Sequence, residues 1–391
     1  MEVSRALPKQ SIRREALIVA VLAAVAVAAL LLVFALVSRF RDWRSTLADR
    51  TYRHGRNELA FGSAGQAIEY FRSALFFDPD NFDYQFSLAQ ALENAGRFDE
   101  AEAYLRNLWE REPQSGSVNV QLARLAAHRG ETRDVLRYYH NAIYGIWRSD
   151  PDQNRRMARV ELVNFLLAQH DTTQAQSELI AMQAGLPADP QLHMQLGELF
   201  MRLPDYEHAL AEFRQARQLD RQNPEPAAQA GVAAFHLGWF RTAIHFLALA
   251  SKAGDHDENI RSMLDTASLV VASNPRARGL SIQERTGRVR KDFQVAKQRL
   301  QDCRKVHGES GAAAGGAVQG DSRSLDTFST RVADLSRLAG RVATLADPNN
   351  RDEIMDFVFG VEEQTKTVCG APAGRDLALL LLGRSQEAAE R

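Results

Sequence analysis

Two cysteines and ten histidines are the residues of this 391-residue sequence best suited to covalent, redox or metal chemistry. Oxidised to each other, Cys303 and Cys369 close a loop of about 66 residues, worth roughly 4 kcal/mol in the chain-entropy picture. An exposed thiolate of lowered pKa would instead suit a thiol-redox enzyme, and a third reading leaves two separate buried thiols. A metal centre is incomplete, because only His307 is near either sulfur, and two thiolates with one imidazole leave a coordination position unfilled. The other histidines are His54, His128, His140, His170, His193, His208, His236, His245 and His256. None forms the paired helical zinc motif with an intervening Glu, and no Gly-x-Ser-x-Gly elbow occurs. Asp255-His256-Asp257 comes nearest to a ligand set, at a turn where solvated polar residues are normal. The Gly-rich segment from Gly308 to Ala317 comes after a helix and lacks a Gly-Lys-Ser/Thr ending, so 308–320 reads as a flexible linker rather than a phosphate loop.

Composition narrows the classes further. Forty-eight basic against 49 acidic residues give a net charge of −1, which supplies no global field for nucleic acid. A basic stretch, Arg285, Arg288, Arg290, Lys291, Lys297, Arg299, Arg304 and Lys305, is interrupted by Glu284, Asp292 and Asp302 and reads as a solvated helix face. Hydrophobic residues at 45% and charged residues at 25% are those of a folded protein. Two cysteines cannot build a disulfide-dense scaffold. No cofactor, no metal and no catalytic constellation are therefore expected, and the leading expectation is a non-enzyme.

The elements that must position any site begin with a membrane segment. Residues 1–15 form a basic tail, and Ala16 to Val37 are twenty-two apolar positions without charge, spanning roughly 33 Å as a helix. Arg13 and Arg14 precede this run, while Arg39 and Arg41 come after it with Phe40 and Trp43 at the exit interface. It is longer than a secretory signal core and lacks a cleavage site, so it predicts an uncleaved single-pass anchor. Orientation stays open on charge. Arg39, Arg41, Arg44, Arg50, Arg53 and Arg56 outnumber Arg5, Lys9, Arg13 and Arg14, yet a short basic tail before a long apolar run has the form of a signal anchor that exports the downstream chain.

A period of 34 residues organises the middle, with units starting at Ala48, Phe82, Gly116, Arg156, Pro190 and Pro224. Position 8 is Gly55, Ala89, Ala123, Val163, Gly197 and Gly231, while position 20 is Ala67, Ala101, Val135, Ala175, Ala209 and Ala243. Position 24 carries the larger Phe71, Leu105, Tyr139, Leu179, Phe213 and Leu247, and position 27 carries Ala74, Leu108, Ala142, Met182, Ala216 and Ala250. Mostly small residues at three positions let two antiparallel helices approach closely, and the larger one fills the gap. In stretches such as FDYQFSLAQALENAGRFDEAEAYLRNLWEREP and QLHMQLGELFMRLPDYEHALAEFRQARQLD the sequence resembles the tetratricopeptide repeat family over residues 48–257.

That resemblance implies a tetratricopeptide-type α-solenoid, and with the N-terminal transmembrane helix and a C-terminal helical bundle the expected fold is all-α. It also implies a groove for a protein or peptide ligand, lined by the first helix of each pair at positions 2, 5, 9, 12 and 13. The groove candidates are Phe86, Gln90, Glu93 and Asn94, then Val120, Arg124 and His128, then Asn164 and Leu167, then Met194, Glu198, Met201 and Arg202, and finally Val232, Phe235 and His236. Some members of the family clamp a C-terminal carboxylate with Lys at position 5, and no Lys stands there in this chain. Two departures stand out. Position 4 lacks its aromatic, with Thr51, Gln85, His193 and Ala227 among the substitutes, and Asp150 to Arg155 are inserted between the third and fourth units, where a bend or longer loop is expected.

Beyond the repeats, Ile260, Met263, Leu264, Ala267 and Val270 predict a capping helix over 258–274. A helical bundle is expected over 281–391. Its first helix carries Val289, Phe293, Ala296, Leu300 and Cys303, and its second carries Leu325, Phe328, Val332, Leu335, Leu338, Val342 and Leu345. A third carries Ile354, Phe357, Val358 and Val361, and the run Leu377 to Leu382 is too short to cross a bilayer and reads as bundle core. A disulfide between Cys303 and Cys369 would need an oxidising compartment, which favours an exported soluble region. The expectation is thus a single-pass inner-membrane scaffold of the bacterial envelope, facing the periplasm or another extracytoplasmic space. The alternatives are the redox enzyme and a cytoplasm-facing recruitment factor for envelope assembly.

Overall fold

The computed structural model describes residues 9–254, 257–311 and 319–389, with side chains for 17–254, 257–306 and 325–385. Among the described residues the regular structure is helical, joined by one isolated parallel bridge between Ser115 and Ile146. The chain divides after Asp171 into two compact units.

The first unit opens on α1, Lys9–Ala60, a single helix of 52 residues and about 78 Å. The apolar segment and the first repeat helix are therefore one rod. Neither Gly nor Pro lies between Val37 and Ala48, so nothing in the sequence breaks the backbone ladder there. Side chains change role along its length: Leu17 to Val37 are exposed, whereas Ala48 is 1% exposed and packs with Ala74 and Tyr84. After the rod come α2 (Ala64–Phe77), α3 (Phe82–Asn94), α4 (Phe98–Arg111), α5 (Gly116–Arg129), α6 (Thr132–Ile143) and α7 (Pro151–Ala168). The second unit holds α8 (Thr172–Gln183), α9 (Pro190–Arg202), α10 (Tyr206–Leu219), α11 (Glu225–His236), α12 (Phe240–Lys252) and α13 (Glu258–Ser273).

Every residue at positions 8, 20, 24 and 27 of the six units is buried. The reason is steric. A Cβ added to Gly55 would stand 2.7 Å from the Phe71 ring, one on Gly197 2.5 Å from Phe213, and one on Gly231 2.6 Å from Leu247. Position 8 thus receives position 24 of the same hairpin. Helix starts are capped by Asn81, which accepts from the Asp83 and Tyr84 amides, and by Asp189, which accepts from those of Gln191 and Leu192. The turn between paired helices uses Gly96 and Gly238, both at φ 73°, where a side chain would be strained.

The missing aromatics at position 4 have a replacement in two units. Gln85 Nε2 donates to the Pro79 carbonyl at 2.6 Å, and Asn119 Nδ2 donates to the Pro113 carbonyl at 2.9 Å and to Ser115 O at 2.8 Å. Both amides are buried, so each satisfies a carbonyl freed where the preceding helix stops.

The inserted residues do not form the expected loop. Pro151 to Arg155 extend α7 to 18 residues, with Pro151 in the first turn where its missing N–H costs nothing. The longer connection lies before them, over 144–150. Trp147 folds its ring onto Gly116, where an added Cβ would collide with the indole, and donates to the Ala142 carbonyl at 2.9 Å. Arg148 lies over the Phe82 ring at 3.8 Å and reaches Glu112 at 2.8 Å, which pins the connection across two hairpins.

α13 packs against α12 on one side and α18 on the other, joining the repeats to the bundle. The bundle comprises α14 (Ile282–Gly311), α15 (Gln319–Gly340), the short α16 (Val342–Leu345), α17 (Pro348–Cys369) and α18 (Gly374–Ala389). Its core holds Val289, Phe293, Leu300, Leu335, Phe357, Val358 and Leu379, with the rings of Phe293 and Phe328 each 5.7 Å from that of Phe357. Two sequence expectations need correction. The second bundle helix stops at Gly340, so Val342 is 48% exposed instead of continuing the seam. Of the expected linker, 308–311 close α14 and 319–320 open α15, while 312–318 lie outside the described residues.

The contact between positions 8 and 24 makes a measurable difference. Gly231→Val is expected to destabilise by about 1–3 kcal/mol through overpacking against Leu247. Gly287→Ala, in α14 with open space around it, should stabilise slightly. Thermal unfolding of the detergent-solubilised chain, monitored by circular dichroism, checks the opposite signs.

Candidate functional site

One hollow on the repeat surface lies in the first unit, between α3, α5 and α7. A hollow of about 180 Å³ is lined by Phe86, Gln90, Ser117, Val120, Gln121, Arg124, Trp147, Asn154, Met157, Ala158 and Glu161. Four of these, Phe86, Gln90, Val120 and Arg124, are groove candidates named from the sequence. The apolar wall is built by Phe86, Val120, Trp147 and Met157. Phe86 is itself backed by Phe82, the rings stacked 6.0 Å apart.

The polar side is already paired. Arg124 donates from Nε to Glu161 Oε2 at 2.9 Å and from Nη2 to Oε1 at 2.6 Å, a bidentate ion pair between α5 and α7. Tyr139 donates its hydroxyl to the same Oε2 at 3.1 Å, and its pKa is raised by burial and by Glu161. Burial also raises Glu93 above the ordinary carboxylate value, a shift that the nearby Arg124 charge partly offsets. Arg124 is therefore not a free cation awaiting a carboxylate.

The other candidates fall outside this hollow. Asn94 is exposed at the end of α3, and His128 lies on Phe98 with ring centroids 4.1 Å apart. Asn164 is half-buried on α7. In the second unit, Glu198 and Arg202 are exposed, Met201 is half-buried, and Phe235 meets Phe240 edge-on at 5.5 Å. Met194 is a correction: at 5% exposure it belongs to the core, not to an open groove. Ser117 and Met157 stand at position 2, where the groove rule applied throughout would have found them. Trp147 and Asn154 come from the irregular connection and the insertion, where the 34-residue register gives no guide.

The cysteines form the second candidate. Cys303 on α14 and Cys369 at the end of α17 are disulfide-bonded, their Cα atoms 5.7 Å apart. Cys303 is 4% exposed, and the bond closes the seam that the apolar residues of α14 begin. Beside it, Arg299 donates to Thr365 Oγ1 at 2.8 Å and to the Gly370 carbonyl at 3.0 Å. The same guanidinium lies 3.2 Å from Glu362 Oε2 and 3.5 Å from Asp376 Oδ2. Burial raises Glu362 to about 8, Asp376 adds to the shift, and Arg299 opposes it. On α14, burial likewise raises Asp292 to about 6 although Arg375 donates to it at 2.8 Å. Among the described residues no group of three His, Cys, Asp or Glu is placed to hold a metal. Asp255 and His256 lie outside the described residues, and Asp257 caps α13 by accepting from the Asn259 amide.

Comparison with known proteins agrees with this architecture. Models described as tetratricopeptide repeat match residues 58–125 and 161–224. Residues 58–125 and 161–224 of this chain are therefore tetratricopeptide repeats within an all-α fold. Similar solved structures include PilW, a type IV pilus biogenesis factor, at 17% identity and TM-score 0.38, covering 56% of this chain and 98% of that one. PilF of Pseudomonas aeruginosa is 19% identical with TM-score 0.31, covering 49% and 81%. The tetratricopeptide protein YrrB is 16% identical with TM-score 0.36, covering 48% and 95%. No curated protein sequence matches the chain.

The raised Glu362 carries a pH dependence of definite sign. A carboxyl whose folded pKa of about 8 exceeds its ordinary value of 4.5 holds its proton more tightly when folded, so stability falls as pH rises across that window. Glu362→Gln is expected to raise the thermal midpoint at pH 8 and to leave it near the parent's at pH 4.5. Melting curves at the two pH values check it, and an equal shift at both would remove the carboxyl from the explanation.

Proposed function

We propose that this protein is a membrane-anchored scaffold of the bacterial cell envelope that captures a peptide or helix of a partner protein without catalysing a reaction. The observation that carries the reading is the hollow between α3, α5 and α7, where Phe86, Val120, Trp147 and Met157 face a neutralised Arg124–Glu161 pair. Such a surface takes an apolar side chain while offering hydrogen-bonding groups at its edge. Anchoring by Ala16 to Val37 confines the search for a partner to the plane of the membrane. The Cys303–Cys369 bond supports an inner-membrane protein whose repeats and bundle face the periplasm, because such bonds persist in oxidising compartments. The Arg residues from Arg39 to Arg56 favour the opposite, cytoplasm-facing orientation, so topology is the first thing to measure.

A photo-crosslinking residue in place of Gln90 is expected to trap a polypeptide partner in intact cells, whereas the same residue in place of Arg106, on the exposed face of α4, should not. Truncating Phe86 and Met157 together to Ala should weaken capture about tenfold, the equivalent of roughly 1.4 kcal/mol of lost apolar burial. Retention of full capture would move the site elsewhere. For topology, a C-terminal reporter active only in the periplasm should be active; silence there would assign the repeats to the cytoplasm.

A further inference from the structure

We propose that the cleft between α10 and α12 is a second docking surface, an arginine-lined seat for an acidic helix of a partner protein. It differs in chemistry from the hollow of the first unit and shares no residue with it.

The cleft encloses about 670 Å³ and is walled by Arg214, Arg217 and Arg221 on one side and by His245, Phe246 and Leu249 on the other. The arginines follow one another at gaps of three and four, which sets them in a row along α10 and just past its end. No carboxylate lines the cleft among the described residues. Arg214 and Arg221 are exposed, while Arg217 is half-buried, with its Nη1 buried and without a hydrogen-bond partner. Among the described residues none of the three makes an ion pair.

The repeat register shows why these charges stand unpaired. Arg214 occupies position 25 of its unit, as Arg72 and Arg106 do in theirs. Arg72 pairs with Glu69 at position 22 and with Glu100 at position 19 of the next unit, and Arg106 pairs with Glu102 at position 21. Around Arg214 those three places hold Ala211, Thr242 and Leu210. Arg221 takes position 32, where Pro79, Pro113 and Pro187 stand in other units. Acidic neighbours along the chain are engaged elsewhere. Glu212 accepts from Gln183 at 2.6 Å and lies 2.6 Å from His193 Nδ1, and Asp220 accepts from the Gln222 and Asn223 amides. Like charges in a row repel, and a buried guanidinium N–H wants an acceptor, so an anion entering the cleft relieves both.

The shape of the cleft selects which anion. From Arg214 to Arg217 the helix rises about 4.5 Å, the step between carboxylates three residues apart on another helix lying along α10, and Arg221 extends the row. Guanidinium groups bind carboxylates through two parallel hydrogen bonds. Phe246 and Leu249, both half-buried, form an apolar wall for the residues beside those carboxylates. A bare phosphate would satisfy the charge and leave that wall uncovered.

The test titrates the full chain, in non-ionic detergent, into a fluorescein-labelled helical peptide that carries Glu alternately three and four residues apart with Leu beside each, and follows anisotropy. Saturable binding is expected, weakened at least tenfold by Gln in place of the peptide's Glu, by the double substitution Arg214→Gln and Arg221→Gln, and by 0.5 M salt. Truncating Phe86 and Met157 to Ala should leave it unchanged. Equal binding of the Gln peptide, or full binding by the double variant, overturns the proposal, and loss of binding on truncating Phe86 and Met157 returns the peptide to the first hollow and overturns it too. Absence of peptide binding also overturns it, and pyrophosphate binding that the double variant loses would then assign the cleft to a phosphate ligand.

Discussion

Each hairpin depends on one helix giving up side-chain volume where its partner inserts a large group. Gly55 receives Phe71, Gly197 receives Phe213 and Gly231 receives Leu247, with backbone and ring so close that a single carbon would collide. The inserted groups are fully buried, so the dispersion and transfer terms of a large side chain are gathered at one point per hairpin. Fixing that point fixes the separation and direction of both helices. It leaves positions 9 and 12 of the first helix at least partly exposed, and the hollow draws on Gln90 and Arg124 at position 9 beside Phe86 and Val120 at position 5. Selectivity can vary from hairpin to hairpin because stability is settled elsewhere.

The same logic makes α1 more than a tether. Its first half presents exposed Leu, Val and Ala on every side, and its second half concentrates small and aromatic residues on the side of α2 and α3. Tyr52 stacks between the two systems, 5.7 Å from Phe71 and 4.7 Å from Tyr84, and its hydroxyl lies 3.1 Å from Ser87 Oγ. A glycine-rich linker would have let the first hairpin swing relative to the apolar segment. A continuous backbone ladder instead transmits the axis of the apolar segment directly into the first repeat.

Periodicity made the hairpins legible, because a residue whose neighbours recur every 34 positions meets the same packing problem each time. Gly197 and Phe213 could be paired on that basis from the sequence alone. Features without a repeat were hidden. Trp147 and Asn154 line the hollow from a stretch that occurs once, and Pro151 to Arg155 read as a loop although the proline begins a helix there. Position 4 misled in another way: the absent aromatics looked like loss, whereas Gln85 and Asn119 exchange ring packing for hydrogen bonds to the Pro79 and Pro113 carbonyls. Met194 shows the limit of a face rule, since a groove position can turn inward where neighbouring helices crowd it. The bundle was readable by its apolar seam until Gly340, where a helix end overrode the pattern Val342 continued.

The paired charges in the hollow define what the proposed partner must bring. Arg124 holds Glu161 through two hydrogen bonds at 40% and 28% side-chain exposure, and Tyr139 adds a third to the same carboxylate. A ligand carboxylate could reach Arg124 only by displacing Glu161, leaving that group beside Glu93, whose pKa is already raised by burial and by the same neighbour. A ligand lysine would meet the converse difficulty at Arg124. The segment best matched to this surface is therefore uncharged where it enters, with an apolar side chain against Phe86 and Met157 and a backbone or amide group beside Gln90 and Gln121. Recognition would then come from shape and hydrogen bonding, with little dependence on salt.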